Sequence, residues 1–223
     1  MEEGDTNMIK KLYNWFLRLT SAPGEKDEYS RGYLQNRVRK EVIVLCHNVK
    51  GRLLEIGCGE GLFLAQVAGQ NSKLEMWGVD IDDVRLEAAA LRLRNVNLSC
   101  QDAVKLSFED GYFDAVICIN VLLNMRSLED VRNVIKEMRR VCKREGSVIF
   151  DFRNFQNPFM RIKYHLAGYY DDTLKNLPLS AYSLEEIEAI LKDLRMEVAV
   201  KKFIGFNSRI FSAAVIVEAK TPC

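Results

Sequence analysis

What this chain of 223 residues lacks narrows its class first. None of its six cysteines, at positions 46, 58, 100, 118, 142 and 223, has a C-x-x-C partner. That excludes the usual zinc and thiol-redox spacings, and several of the six lie in apolar runs where cysteine behaves as a small hydrophobe. No apolar run approaches the roughly 18 residues of a membrane span. The start, MEEGDTN, has neither the basic flank nor the apolar stretch of a secretory signal. Neither sign of charge is in excess, with 32 Lys and Arg against 31 Asp and Glu, so the basic surplus common in nucleic-acid binders is missing. Repeats and low-complexity segments are absent too. These absences describe a reduced protein, expected in the cytoplasm, with no metal, no membrane span and no nucleic-acid partner.

What is present is ordinary globular composition, 48% hydrophobic and 28% charged, enough for one generous core. Residues 7–20 carry Met8, Leu12, Trp15, Phe16 and Leu19 at near-helical spacing, which predicts an amphipathic helix. A second helix is predicted over residues 33–48. From residue 52 the pattern alternates. Strands are predicted at 53–56, 74–79, 97–100, 113–119 and 147–150, and helices at 62–68, 84–93 and from Ser127 to a stop at Gly146. FDAVICI at 113–119 is apolar throughout, as a strand buried on both faces should be. The alternation predicts an α/β fold with a doubly wound, mainly parallel sheet. Ser183 and Glu186 cap a further helix, and two β-rich runs around 198–203 and 210–217 predict an antiparallel hairpin at a sheet edge.

The densest signal is LLEIGCGEG, residues 53–61, with three glycines in five positions. It ends the first strand and opens a helix, where doubly wound sheets bind ligands. Glycine there serves a tight turn, a close ligand, or both. The spacing is G-x-G-x-G, unlike the G-x-G-x-x-G of dinucleotide sites. Glu60, read at the mouth of the loop, would repel a pyrophosphate. The ligand is therefore expected to carry no phosphate. Asp80, nineteen residues beyond Gly61 and ending WGVD, can accept hydrogen bonds from both hydroxyls of a ribose. Asp82 or Asp83 can cap the helix that follows. Asp102, after the third strand, can accept from an adenine amino group, and Ala103 leaves room for the ring.

In order and spacing, LLEIGCGEG, GVDID, CQDA, FEDGYFDAVICINVLLN and GSVIFD resemble the motifs of the class I S-adenosylmethionine-dependent methyltransferases of small-molecule type. The resemblance covers about residues 33–152. It implies a Rossmann-like, seven-stranded sheet with an antiparallel last strand, and S-adenosyl-L-methionine as cofactor. By position it implies that Glu55, Gly57, Cys58 and Gly59 line the methionine and ribose portion. Asp80 matches the ribose-binding acid, with Ile81 against the adenine and Asp102 and Ala103 at the adenine edge. Asn120 and Val121 match the methionine end. Tyr29, Arg31 and Tyr33 are candidates for the N-terminal contact, Arg31 for the methionine carboxylate. The histidine or aromatic pair that many relatives carry after the fourth strand is replaced by LLNM at residues 122–125.

Residues 1–32 are expected to cover the site or make a homodimer contact, and 33–223 to form the cofactor-binding domain. Residues 152–182, rich in aromatics, are expected to be a lid over a small, partly apolar acceptor. Candidate catalytic residues are His165, one of only two histidines, and Asp151, which ends the fifth strand. The activity so implied is methyl transfer to a small molecule, with oxygen on a sugar, quinone-like ring or lipid precursor as the first expectation and carbon or nitrogen next. A non-catalytic cofactor-binding protein and a nicotinamide-dependent oxidoreductase are the alternatives.

Overall fold

In the computed structural model, residues 33–71, 73–162 and 180–222 are described. The first element is helix α1 (Tyr33–Leu45), continued by a 3-10 turn at Cys46–Asn48. Then β1 (Arg52–Ile56), α2 (Leu62–Gln70), β2 (Glu75–Asp80), α3 (Asp83–Arg92) and β3 (Val96–Cys100) alternate. Next come β4 (Phe113–Cys118), α4 (Leu128–Val141) and β5 (Cys142–Arg153). Helix α5 (Leu184–Asp193) and the strands β6 (Glu197–Gly205) and β7 (Ser212–Lys220) close the fold.

All seven strands form one sheet, in the order β3-β2-β1-β4-β5-β7-β6. The pairs from β3 to β5 are parallel. β7 runs antiparallel to both β5 and β6, so the C-terminal hairpin lies at the sheet edge as its sequence predicts. Side chains alternate across the sheet and build two cores. Leu54, Ile56, Val116, Cys118, Val148 and Phe150 face one, which α4 and α5 cover. Leu53, Ala115, Ile117 and Ile149 face the other, under α1, α2 and α3. Burial on both faces is why these strands read as unbroken apolar runs.

Helix α4 shows how local rules place an element. Val131, Val134, Ile135, Met138 and Val141 recur at helical spacing and are fully buried. The Ser127 hydroxyl accepts from the Asp130 N–H at 3.0 Å, a cap of about 1 kcal/mol. Glu129 and Asp130 sit in its first turn and Arg139 and Arg140 in its last, each sign favoured by the helix dipole there. One expectation is corrected here. Gly146 does not stop this helix, which ends at Val141; Gly146 lies inside β5. A Cβ on it would sit 2.6 Å from Cys142 Sγ and 2.9 Å from the Lys143 carbonyl, so the glycine serves a tight backbone crossing within the strand.

Candidate cofactor site

The strand order reverses between β1 and β4, and a crevice opens at the carboxyl ends of the strands where neighbouring connections part. A cavity of about 480 Å³ occupies that crevice. The segments after β1, β2, β3 and β4 all reach it. From the first come Glu55, Gly57, Cys58 and Gly59. The second supplies Asp80 and Ile81, the third Asp102 and Ala103, the fourth Asn120 and Val121. The structure thus brings ten sequence-predicted residues to one cavity. Arg31 and His165, and the helix predicted at 7–20, lie outside the described residues.

The glycine loop answers to geometry before any ligand. Gly57 has φ +71°, and a Cβ there would fall 2.2 Å from Val121 Cγ2. Gly61 has φ +73°, and its Cβ would meet Leu93 at 2.6 Å. Any other residue would combine left-handed strain with overlap. The N–H groups of Gly57 and Cys58 both donate to the Val79 carbonyl, at 2.7 and 3.0 Å, fixing the loop to the end of β2. Asp80, almost buried, completes the tie. Its Oδ2 accepts from Gly59 N–H at 2.7 Å and its Oδ1 from Asp82 N–H at 3.0 Å. Each oxygen keeps a second lone pair. Asp82 is the cap of α3, accepting from Val84 and Arg85 N–H. Glu60, expected at the mouth of the loop, is not part of the cavity wall; the left-handed bend turns that residue away from it.

Glu55 is the unusual group. It is 3% exposed, and its Oε2 has no hydrogen-bond partner among the described residues. Burial pushes its carboxyl well above the ordinary range, with Arg39 opposing the shift and Asp80 adding to it. A buried carboxyl oxygen without a hydrogen bond is costly, so Glu55 Oε2 offers the wall an acceptor suited to a polar or cationic group. The Cys58 thiol beside it is pushed up by burial as well, which keeps it protonated and unfit as a nucleophile.

At one end of the cavity Ile81 is an exposed apolar side chain, 71% exposed. Asp102 begins a turn, its Oδ1 accepting from Val104 N–H at 3.1 Å, beside half-buried Ala103. At the opposite end Asn120 has φ 59°, rare outside glycine. Beyond it a 3-10 turn at Leu122–Asn124 carries Leu123 and Met125 over the cavity. That turn is tied down by the last residues of the segment expected to be the lid, whose residues 163–179 lie outside the described residues. Ser180 N–H donates to the Leu123 carbonyl, and the Ser180 and Tyr182 hydroxyls to the Met125 carbonyl.

Asp151, a candidate catalytic residue from sequence, is not part of this cavity wall. It is 1% exposed, with Oδ1 accepting from Asn120 N–H and Oδ2 paired with Arg153, each at 2.5 Å. Sequence reasoning placed the strand's end before Arg153; β5 carries both charges into the interior. It also missed Gln35 and Arg39, one turn apart on α1 and both in the cavity wall. Arg39 is 5% exposed. A cation in the stripe continued by Val42 and Ile43 was the available signal.

Comparison with known proteins agrees with this geometry. Residues 54–150 match the family model described as a methyltransferase domain. The chain is 32% identical over 117 residues to a demethylmenaquinone methyltransferase of Thermotoga maritima, covering 52% of this chain and 50% of that one. It is 31% identical over 137 residues to a ubiquinone/menaquinone biosynthesis C-methyltransferase of Burkholderia mallei, covering 56% and 54%. The chain therefore spans about half the length of these curated relatives. Among solved structures, a SAM-dependent methyltransferase of Methanosarcina mazei superposes with a TM-score of 0.65 at 19% identity, over 81% of this chain and 97% of that one; this likeness is one of fold.

Proposed function

We propose, from the premise that this chain is by its fold and by residues 54–150 a class I S-adenosylmethionine-dependent methyltransferase, that it methylates a small lipophilic acceptor. The observation that carries the cofactor reading is the unpartnered Oε2 of buried Glu55 in a glycine-cradled cavity. The residues present fit the cofactor. Glu55 offers a carboxylate to an ammonium, and Arg39 in the same wall offers a guanidinium to a carboxylate. The pair suits a free amino-acid moiety, and Arg39 takes the part first assigned to Arg31. Asp80 retains lone pairs for ribose hydroxyls. Ile81 and Ala103 give apolar contact to a purine, and Asp102 an acceptor at its edge.

When bound, S-adenosylmethionine supplies an electrophilic methyl group on a cationic sulfur. The chain's part is to orient and to exclude water. Val121, Leu123 and Met125 present an apolar wall at the methionine end, where water would otherwise compete. Holding two reactants in line accounts for about 7–11 kcal/mol of barrier reduction. No side chain of that wall among the described residues is a free general base. The names of the Thermotoga and Burkholderia relatives favour a ring carbon of a quinol-like compound, whose proton leaves as the methyl is bound, over the oxygen expected from sequence. The nicotinamide alternative has no support from the family match.

The test is incubation with methyl-labelled S-adenosylmethionine and demethylmenaquinol, a simple catechol and phosphatidylethanolamine vesicles, with products read by mass spectrometry. A carbon-labelled quinol is expected. A labelled ether from the catechol alone would return the reading to oxygen, and failure to bind S-adenosylhomocysteine would remove the cofactor assignment.

A further inference from the structure

Arg153 is among the largest fully buried side chains of the described residues, 2% exposed at the end of β5. It is not part of the cavity wall. Its Nη1 pairs with Asp151 Oδ2 at 2.5 Å, and its Nη2 donates to Asn120 Oδ1 at 2.9 Å. Asp151 Oδ1 in turn accepts from the Asn120 N–H. The register explains the meeting. Cys118 of β4 lies beside Phe150 of β5, so two residues further on Asn120 falls alongside Phe152, between Asp151 and Arg153. Those two side chains, two apart on a strand, point to the same face.

We propose that Arg153 is a positioning residue that sets the cofactor affinity of the cavity by locking Asn120 in its left-handed turn through Asp151. The inference rests on the cofactor reading above. Asn120 at φ 59° sits in the left-handed region, which asparagine enters more readily than other side-chain residues but less freely than glycine, so what holds it sets how fully it stays there. Here its backbone N–H and its side-chain carbonyl are both held from behind, by the two ends of one buried ion pair. Asn120 itself lines the cavity. The same turn delivers Val121 against Gly57, where no Cβ would fit, and starts the Leu122–Asn124 turn that forms the apolar wall. Releasing Asn120 therefore shifts two walls together. A buried ion pair is weak evidence for net stability and is best explained where it specifies a conformation; a strained residue at a cavity mouth is such a case.

The experiment uses Arg153→Met, Arg153→Lys and the double variant Asn120→Gly with Arg153→Met. Each is read by crystal structure, by calorimetric titration with S-adenosylhomocysteine and by melting temperature. Arg153→Met is expected to let Asn120 leave the left-handed region and to weaken S-adenosylhomocysteine binding about tenfold, the order of a left-handed penalty. Glycine at 120 takes that φ unaided, so the double variant recovers most of the affinity although not the melting temperature. If Arg153→Met does not fold, Arg153→Lys, which keeps a charge for Asp151 without the second fork to Asn120, is read the same way. A folded variant with a lower melting temperature but wild-type affinity and Asn120 still at positive φ overturns the proposal. If wild-type protein fails to bind S-adenosylhomocysteine, the cofactor reading falls, and φ of Asn120 in the variants still decides the positioning claim.

Discussion

Gly59 and Asp80 are joined directly: the Gly59 N–H donates to Asp80 Oδ2 at 2.7 Å. The acid at the end of β2 and the glycine loop after β1 are one unit, so the acid shapes the cavity before it meets a ligand. Asp80→Ala should cost more than any direct contact to a ligand, because it also frees the loop. A charge-assisted hydrogen bond is worth about 1.5–3 kcal/mol, so a loss of roughly 100-fold in S-adenosylhomocysteine affinity is expected by calorimetry. Asp80→Asn, which can still accept from Gly59, should lose less. Equal affinity in wild type and Asp80→Ala would contradict this.

Gly57→Ala tests the close approach to Val121. The new Cβ would lie 2.2 Å from Val121 Cγ2 at φ +71°. Overpacking and left-handed strain together predict about 2–4 kcal/mol of destabilisation by urea unfolding and loss of cofactor binding. Adding Val121→Ala should restore part of the stability, because it removes the overlap and leaves the backbone strain.

Glu55 gives a pH signature. Its raised carboxyl binds a proton more tightly in the folded chain than in the unfolded one, where it titrates near 4.5. Its contribution to stability is therefore full below that value and is lost as pH rises through the folded one. Without ligand, wild-type stability should fall more steeply above pH 4.5 than that of Glu55→Gln. A cationic ligand group beside Glu55 and Arg39 favours the ionised form, so binding should release a proton. Titrations in buffers of different ionisation heat should show that release in wild type and not in Glu55→Gln.

A control lies outside the cavity wall. Ser183 and Glu186 form a complete capping box on α5. Ser183→Ala should cost about 1 kcal/mol and lower the melting temperature. Binding of S-adenosylhomocysteine should stay unchanged, and a shift in affinity would mean that α5 is coupled to the site.

The parallel half of the fold was legible because its strands are apolar on both faces and its helices carry caps and stripes at the right period. FDAVICI and the Ser127 helix are the clearest cases. Errors fell where local chemistry and packing disagree. Gly146 read as a helix stop, since glycine after a basic turn commonly is one, yet β5 begins at Cys142. Glu60 read as part of the ligand mouth from its place in the loop alone, and its direction depends on two left-handed glycines. Arg39 and Arg153 were not singled out, because the partners that bury an arginine lie elsewhere in the chain.

The sequence by itself determined the strand and helix succession, the glycine bend and the spacing of Asp80 and Asp102, because those follow from periodicity and from residues with special backbone freedom. Tertiary structure alone decided that Glu55 Oε2 lacks a hydrogen bond among the described residues, that Arg39 shares its cavity wall, and that Asp151 and Arg153 turn inward to meet Asn120. Charges are buried only when partners distant in the chain meet them, and that meeting is set by strand order and register rather than by any local pattern.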